Sequence, residues 1–545
     1  MQSEDPIASS TLSPLRNPVF RAIWTTTQVS SLGWLVQGVA ISWLLATTSA
    51  SDVMVTLVQS SSTLPAFLLS ILAGALADNF SRRVLMAIGQ SLLALASIGL
   101  AITVALGWID PWVILGLVFL AGCGFALNDP AWHASVGDIL DKRDIPAAVT
   151  LISVGYNVVR SIGPALGGAI MAFLGPVAAL AVASMGNLVP LGALLRNKWH
   201  VRSSPLPPER MATAIHDGLR FTALSSDIRS AIIRAALFGF AGISVLALLP
   251  LVVRDLLASG PIVYGISLAG FGLGAFAAGM SNRFLRKQVS QEILMMLASV
   301  ACAVCCLTLA LTSSIPVATI ALAIGGAGWV ITWTGIDVWV QLASPRWVVG
   351  RTLSIYYCFT YGGIALGSWI WGVIAQTYSL PTSLQLAAAA LFAVAAIGFL
   401  LPVRSWRETD QQGSDFQAPE LALDLQPRSG PIAVKVEYTI ADADLETFMG
   451  YMRLRRHAMS RAGARDWRLQ RNLRAPSCWT ETFRTPTWMD FLRLHHRLSP
   501  TDQEIYRLLA ALHRGDELPD MEIAIERTTD AARSRSQVVT RMSRP

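Results

Sequence analysis

The chain has 545 residues, of which 53% are hydrophobic and only 14% are charged, and its mean hydropathy is +0.50. A soluble globular chain usually carries about 25% charged residues, so this composition excludes an ordinary soluble enzyme, a disordered protein and a fibrous one. The net charge of +7 does not indicate a nucleic-acid partner, because the basic residues are spread over short stretches between apolar runs. The composition indicates an all-α membrane protein embedded in a lipid bilayer.

Apolar segments follow one another from the N-terminus to about residue 403. A helix needs roughly 20 apolar residues to cross a bilayer at a rise of 1.5 Å per residue. After a polar N-terminal segment, 1–19, we predict two six-helix halves, 20–196 and 231–403, joined by a middle loop, 197–230. Twelve segments are long enough to be spans: 20–46, 53–77, 84–108, 112–133, 147–174, 177–195, 231–253, 263–281, 293–312, 316–340, 353–376 and 383–403.

Basic residues alternate from loop to loop. Only Arg254 lies in the loops that follow odd-numbered spans, whereas fifteen basic residues lie in the loops that follow even-numbered spans. Because lysine and arginine accumulate on the cytoplasmic side, we predict that both termini and the middle loop lie in the cytoplasm. The resemblance given below implies that the membrane is the bacterial inner membrane. The fifteen residues are Arg82, Arg83, Lys142, Arg143, Arg196, Lys198, Arg202, Arg210, Arg220, Arg229, Arg283, Arg286, Lys287, Arg346 and Arg351.

The two halves carry a weak internal repeat. Gly122-Cys-Gly-Phe in the fourth span corresponds to Gly326-Ala-Gly-Trp in the tenth, and Gly163-Pro-Ala-Leu-Gly-Gly to Gly363-Ile-Ala-Leu-Gly-Ser, each about 200 residues downstream. Two parallel six-span repeats would have this spacing. The glycines four residues apart, Gly163 with Gly167 and Gly363 with Gly367, predict close helix packing, as does Gly168, and Pro164 is expected to bend the helix.

Beyond a polar linker, 404–431, the pattern becomes that of a soluble domain. Alternating strand patterns and amphipathic helix patterns follow in the order βαββαβ between residues 432 and 528. This order predicts a small α+β domain of the ferredoxin-like type. Residues 529–545 are expected to be disordered.

The loop after the second span carries a candidate gating cluster. It reads Gly74-Ala-Leu-Ala-Asp78-Asn-Phe-Ser-Arg82-Arg83. Gly74 permits close helix approach, Asp78 can face the N-terminus of a neighbouring helix, and Arg82 or Arg83 can pair with Asp138. The alternative is that the two arginines only anchor the loop in the cytoplasm. The segment resembles the signature A motif of the major facilitator superfamily, which holds one conformation shut.

Further segments resemble the same superfamily. Gly163-Pro164-Ala-Leu-Gly167-Gly168 is similar to its signature C motif, associated with proton-coupled exporters, although Val159 replaces the usual preceding glycine. With the segments 340–356 and 362–372, residues 15–403 are similar to the enterobactin-exporter-like branch, which includes the transmembrane secretion effectors. This resemblance implies a secondary transporter that exports a siderophore or an amphiphilic drug by proton antiport and alternating access, with no cofactor.

Among the charged residues within the predicted spans, Arg160, Asp129 and Asp337 are singled out, because a charge inside the membrane is costly and therefore informative. Arg160 lies near mid-membrane, where it could attract an anionic substrate or form a structural ion pair with Asp129. Asp129 and Asp337 are the candidate proton carriers, because a buried carboxylate can change its protonation in the working range. Each could equally be a structural partner.

The resemblance also suggests which residues line a central cavity. In the superfamily the first, fourth, seventh and tenth spans form most of this lining, with contributions from the fifth and eleventh. Aromatic side chains there can stack on a flat cargo, although each tryptophan could instead be an interface anchor or core filler. Placed on this chain, the candidates are Gln28, Trp34, Gln37, Asn128, Trp132, Asn157, Trp333, Tyr357 and Tyr361.

The C-terminal domain resembles dimeric α/β-barrel modules of the antibiotic-biosynthesis-monooxygenase type. Its histidines, His457, His495, His496 and His513, show neither metal-ligand nor nucleophile spacing, so no catalytic or metal site is predicted and His495-His496 is expected to be exposed. A regulatory role or homodimerisation is expected. Two alternatives remain open, namely a transporter-like sensor or scaffold, and a membrane-tethered enzyme acting through this domain.

Overall fold

The computed structural model describes residues 12–49, 51–79, 81–141, 143–197, 199, 211–345, 348–400, 421–498, 500–515, 519 and 521–527. Within it the chain forms two compact units. The first comprises Met1–His216, Asp227–Ala343 and Gly350–Arg404, and the second comprises Asp217–Ser226, Ser344–Val349 and Ser405–Pro545. The predicted disordered segment, 529–545, and most of the predicted linker lie outside the described residues.

The first unit is helical. Its elements, with the α6 helix of the middle loop given in sequence, are α1 (Pro18–Thr48), α2 (Asp52–Asn79), α3 (Arg82–Ala105), α4 (Pro111–Ile139), α5 (Ile145–Arg196), α6 (Met211–Leu224), α7 (Ser226–Gly242), α8 (Ser244–Leu251), a π-helical turn (Val252–Leu256), α9 (Pro261–Gln288), α10 (Gln291–Leu311), α11 (Ile315–Ala343), α12 (Val349–Thr377) and α13 (Leu380–Leu400). In the described part of the chain, eleven helical stretches are long and apolar enough to cross a membrane.

Helix α5 explains the difference between eleven stretches and twelve predicted spans. It has 52 residues and contains the predicted fifth and sixth spans, separated by Gly175, which has a left-handed φ of 80°. Gly163, before the break, packs against Leu35 of α1, and Ala183, after it, packs against Gly33. Because both parts of α5 lie along the same stretch of α1, the chain reverses direction at Gly175.

Small residues allow the helices of the first unit to approach closely. A β-carbon on Gly168 of α5 would lie 2.7 Å from the carbonyl oxygen of Pro261 and 2.8 Å from the Cα of Gly265, both in α9. Gly363 and Gly367 of α12 press in the same way against the α7 carbonyls of Ala236 and Phe240. Small residues are the usual means of close helix packing in lipid, so the predicted packing roles of these glycines agree with the geometry.

A buried polar network fastens three helices of the first half. The Asn187 side chain accepts a hydrogen bond from the Ser30 hydroxyl (2.9 Å) and donates one to Ser97 (2.8 Å). The amide of Gln90 donates to Ser30 and to the Asn187 carbonyl. Since an unpaired polar group in hydrocarbon is costly, this network fixes how α1, α3 and α5 lie against one another.

The second unit contains a four-stranded antiparallel sheet in the order β2-β3-β1-β4. Helices pack on one face of this sheet, and the described elements follow the order βαββααβ, which has one more helix between β3 and β4 than the predicted βαββαβ order. They are β1 (Ile432–Thr439), α14 (Leu445–Ala462), β2 (Arg465–Arg471), β3 (Cys478–Thr485), α15 (Trp488–Arg497), α16 (Pro500–Leu512) and β4 (Met521–Ile525).

The two faces of this sheet differ in chemistry. Along β1, Ile432, Val434 and Val436 are fully buried against the helices. Lys435, on the opposite face, forms an ion pair with Glu437 at 2.7 Å and approaches Glu522 of β4 at 3.7 Å. The period-2 alternation of the sequence therefore gives one apolar face and one charged face.

A charged pair lies inside this domain. The guanidinium of Arg455 contacts the carboxylate of Glu481 at 2.7 Å, and both side chains are almost fully buried. Glu481 also accepts hydrogen bonds from Trp467 (2.8 Å) and Tyr438 (3.2 Å). These extra donors offset the cost of burying the carboxylate.

Residues 217–226 of the middle loop belong to the second unit. Within that unit Arg497 lies 3.1 Å from Asp217, and Arg220 donates to the Ala464 carbonyl at 2.6 Å. Phe221 is 2% exposed. The sequence predicts only a loop here, whereas in the structure this part of the loop packs within the second unit.

The expectation that His495 is exposed is wrong. Its side chain is buried, packs on Phe491 with ring centroids 4.4 Å apart, and hydrogen-bonds the Phe491 carbonyl at 3.0 Å. His496 is exposed, as predicted. Burial lowers the pKa of His495 to about 4, because charging the imidazole inside the domain is unfavourable.

We predict that Asn187→Leu lowers the thermal midpoint of the detergent-purified protein by about 3–6 °C, because about 1–2 kcal/mol of interhelical hydrogen bonding is lost. Asn157→Leu is the matched control, since the Asn157 amide donates only to the Ser153 carbonyl of its own helix among its described contacts. Scanning fluorimetry measures both. Equal shifts in the two variants would contradict a role for the network.

We predict that acid weakens the C-terminal domain through His495. In the unfolded chain the histidine pKa is about 6.5, and in the fold it is about 4. The unfolded state therefore binds the proton first as pH falls, and stability decreases between these values by up to about 3 kcal/mol. Amide exchange of β1 in the full-length protein should be less pH-sensitive in His495→Leu than in the parent. His496→Leu should behave like the parent, and an unchanged His495→Leu profile would refute the prediction.

Candidate functional site

A cavity of about 370 Å³ lies within the first unit, between the two predicted halves. Helices α1, α2, α4 and α5 line it from the first half, and α8, α9, α11 and α12 line it from the second. Seven aromatic residues contribute to the wall: Trp34, Phe125, Tyr156, Tyr264, Phe271, Trp329 and Tyr361. A mostly apolar chamber with a few polar groups is typical of small-molecule sites.

Arg160 provides the positive charge of this chamber. Among the described residues that line the cavity, it is the one with a charged side chain. Its guanidinium lies 5.9 Å from the ring centroid of Phe271, within the range of a cation–π contact. In the described part of the chain Arg160 forms no ion pair, and Asp129 lies instead 3.8 Å from His133. The structural pair Arg160–Asp129, one of the two alternatives from sequence, is therefore not formed.

The cavity contains some of the predicted lining residues but not all. Trp34, Gln37, Arg160 and Tyr361 line it. The others are not among the residues that line this cavity, and their substrate contacts stay predictions. Trp132 is buried and stacks on Phe20.

The remaining predicted residues also contact protein rather than the chamber. Trp333 packs on Phe238 and Trp329. Asn128 lies beside Gly89 of α3, and Asn157 bonds within its own helix. Gln28 packs on Gly155. The number of a span does not specify which face of its helix turns toward the chamber. A residue of a lining helix can therefore point away from the cavity, as Trp333 does.

Four aromatic residues line the chamber but are not in the predicted set: Phe125, Tyr156, Phe271 and Trp329. Phe271 lies in the predicted eighth span, which the resemblance does not count among the lining spans, whereas the other three lie in the fourth, fifth and tenth spans. Trp329 occupies the position four residues before Trp333, one helical turn away. Two sequence features point to these residues: the aromatic residues within the spans of the two repeated halves, and the position of Arg160.

Asp337 of α11 is held by two hydrogen bonds. Its carboxylate accepts one from the Tyr357 hydroxyl of α12 (2.7 Å) and one from the Gln341 amide (3.0 Å). Tyr357, predicted as a substrate contact, is thus a partner of the candidate proton carrier. A carboxylate within a span is a candidate for taking up and releasing a proton.

The candidate gating cluster is partly described. Arg82 lies 2.9 Å from both Asp138 and the Ala134 carbonyl of α4. Arg83 donates to the Leu194 and Leu195 carbonyls at the end of α5. Both arginines begin α3, and their guanidinium groups reach carbonyls near the C-terminal ends of α4 and α5, where a positive charge is favourable. Gly74 and Asp78 lie in α2, and their side-chain surroundings are outside the described residues.

Comparison with known proteins identifies relatives of the chain. A curated relative, the staphyloferrin A transporter of Staphylococcus aureus, is 27% identical over 248 residues, which are 45% of this chain and 62% of that protein. The chain thus spans less than two thirds of that relative. The multidrug efflux pump Tap of Mycolicibacterium fortuitum is 22% identical over 374 residues, covering 67% of this chain and 91% of the pump.

Solved structures share the fold. A bacterial homologue of the human lysosomal transporter Spinster, in an inward-facing conformation, has a TM-score of 0.56 at 16% identity and covers 71% of this chain and 97% of its own. The xylose transporter XylE from E. coli has a TM-score of 0.53 at 14% identity and covers 70% of this chain and 96% of its own. At such identities the likeness concerns the fold alone.

Each of these relatives and structures is named as a transporter or an efflux pump. The model of the transmembrane secretion effector family matches residues 9–530, which include the C-terminal domain. The chain belongs to the transmembrane secretion effector family of the major facilitator superfamily.

Proposed function

We propose that this protein is a secondary active transporter that exports a small anionic organic molecule from the cytoplasm by alternating access. The observation that carries the proposal is the chamber between the two halves, with Arg160 as its charge and aromatic side chains as its wall. Rocking of two halves about a central site would expose this chamber to each side in turn.

The proposed topology has twelve crossings with both termini in the cytoplasm. The reversal at Gly175 supports counting α5 as two spans, because 52 residues are about twice the length that a bilayer requires. The excess of basic residues in the even-numbered loops supports the orientation.

The proposed cargo is a carboxylate or catecholate siderophore. An unpaired guanidinium in an apolar chamber favours an anion and disfavours a cation. The relative named as a staphyloferrin A transporter is consistent with this class, whereas the relative named as a multidrug pump favours an amphiphilic drug. The positive charge that Arg160 brings to the chamber supports the siderophore class over the amphiphilic-drug class.

Proton coupling is the proposed energy source. Asp337, held by Tyr357 and Gln341, is the proposed carrier, and the pair Asp129–His133 lies on the facing helix α4. The contact between Arg82 and Asp138 supports a gating role for the cluster around Asp78.

The C-terminal domain is proposed to regulate transport rather than to catalyse a reaction. Its sheet order and element order support a ferredoxin-like fold. Its buried polar groups around Glu481 are hydrogen-bonded to one another. A homodimer through the open sheet face would have to bury Lys435, Glu437 and Glu522, so a dimer, where it forms, would have a polar interface.

We predict that Arg160→Leu lowers uptake of staphyloferrin A into inside-out vesicles by about ten- to a hundredfold, because a charged hydrogen bond to the cargo is lost. Arg160→Lys, which keeps the charge, should retain part of the activity. Ethidium, a cation, serves as the comparison probe and should not lose uptake in Arg160→Leu. Parent-like staphyloferrin A uptake in Arg160→Leu would refute the role of Arg160.

We predict that Asp337→Asn separates transport from proton coupling. The amide keeps an acceptor for the Tyr357 hydroxyl (2.7 Å in the parent) but cannot bind a proton. Uptake driven by a pH gradient should therefore fall at least tenfold, while exchange of labelled for unlabelled staphyloferrin A in proteoliposomes should persist. Asp129→Asn, measured in parallel, tests whether the second carboxylate shares this role. Undiminished gradient-driven uptake in Asp337→Asn would exclude Asp337 as the carrier.

A further inference from the structure

Arg254 stands apart from the other basic residues of the membrane unit. It is the one basic residue in the sequence loops that our topology assigns to the outside. It lies in the π-helical turn Val252–Leu256 that ends the seventh span. Such turns are rare and occur frequently at functional sites.

The guanidinium of Arg254 joins the two halves. It donates to the Ala46 carbonyl at the end of α1 (2.5 Å) and to the carboxylate of Asp52 at the start of α2 (3.0 Å). Both partners belong to the first half, whereas Arg254 belongs to the second. It also contacts its neighbour Asp255, from its own half, at 2.6 Å and 2.7 Å.

A second contact between the halves lies beside the first. The side-chain oxygen of Gln376, at the end of α12, accepts hydrogen bonds from the Ser51 hydroxyl (2.7 Å) and the Val53 amide (3.3 Å). The start of α2 is thus held by the ends of two helices of the second half. In this conformation the halves are fastened at the end of the bundle that carries Arg254.

We propose that Arg254 is a releasable latch that closes the outer end of the chamber, with Asp255 as its resting partner when the latch is open. This inference rests on the proposed alternating access. When the outer end opens, the hydrogen bonds from Arg254 to Asp52 and Ala46 must break. The guanidinium stays paired with Asp255 during this step, so it is never left as an uncompensated charge.

The exposure of the three side chains suits a contact that must break and re-form. Arg254, Asp52 and Asp255 are 30%, 27% and 40% exposed. Ion pairs of this exposure are weak individually. The two carboxylates compete for one arginine, so their removal should have opposite effects. Loss of Asp52 favours the open state, and loss of Asp255 leaves Asp52 as the remaining carboxylate partner and favours the closed state.

The test uses a cysteine in the chamber as a reporter. Gln59 of α2 lines the cavity, and Gln59→Cys is labelled with a membrane-impermeant maleimide in intact cells and in inside-out vesicles. The chain without this added cysteine is measured in parallel, which accounts for the six native cysteines. In cells, Asp52→Asn should raise the labelling rate roughly fivefold, as expected from one partly exposed ion pair. Asp255→Asn should lower it by a similar factor, and the vesicles should show the reverse.

Asp110→Asn is the matched control. Asp110 lies at the start of α4 and caps that helix through the Trp112 and Val113 amides, a role that asparagine can also fill. It removes a charge at the same end of the bundle, and labelling should not change. If Asp52→Asn lowered labelling in cells and raised it in vesicles, Arg254 would close the inner end of the chamber, and the assignment of the latch to the outer end would be overturned.

Equal effects of Asp52→Asn and Asp255→Asn, or none, would overturn the latch. The proposed function is judged separately, because transport is measured by staphyloferrin A uptake. A transporter that works normally while both variants label like the parent has no such latch.

Discussion

The absence of water in the hydrocarbon of a bilayer is the constraint on which this structure depends. Every backbone amide and carbonyl must find a partner within the protein, and helices are the simplest way to satisfy this requirement. Lipid also removes the hydrophobic drive that would hold helices together. Close glycine contacts, such as Gly168 with Gly265, and the polar network around Asn187 therefore hold the bundle.

The same constraint gives each buried charge a specific partner or role. In the second half, Arg234 of α7 contacts Glu292 of α10 at 2.8 Å, which is a structural pair. Asp337 has a tyrosine and an amide as partners. Arg160 faces the chamber and makes no ion pair among the described residues. Because Arg160 has no counterion among the described residues, we expect the cargo to supply the negative charge.

Much of the architecture could be predicted from sequence because hydropathy and strand alternation are local signals. The long apolar helices and the C-terminal elements agree with the predicted segments. Arg82 beside Asp138 was also expected from the spacing of charges. Side-chain direction was not accessible, because a span appears apolar all round in sequence. Sequence therefore does not indicate that Trp132 and Trp333 pack on neighbouring aromatic rings. Nor does it indicate the burial of His495, which depends on how α15 packs against its neighbours.

Arg254 shows how topology and mechanism can depend on one residue. In the proposed topology Arg254 lies on the outer side, where a basic residue works against the charge asymmetry that orients the chain, so its presence requires compensation. Two carboxylates supply it, one from each half of the bundle. A single carboxylate would be enough to neutralise the arginine. The second is needed only if the guanidinium must remain paired in two different arrangements of the halves, which is what alternating access would demand.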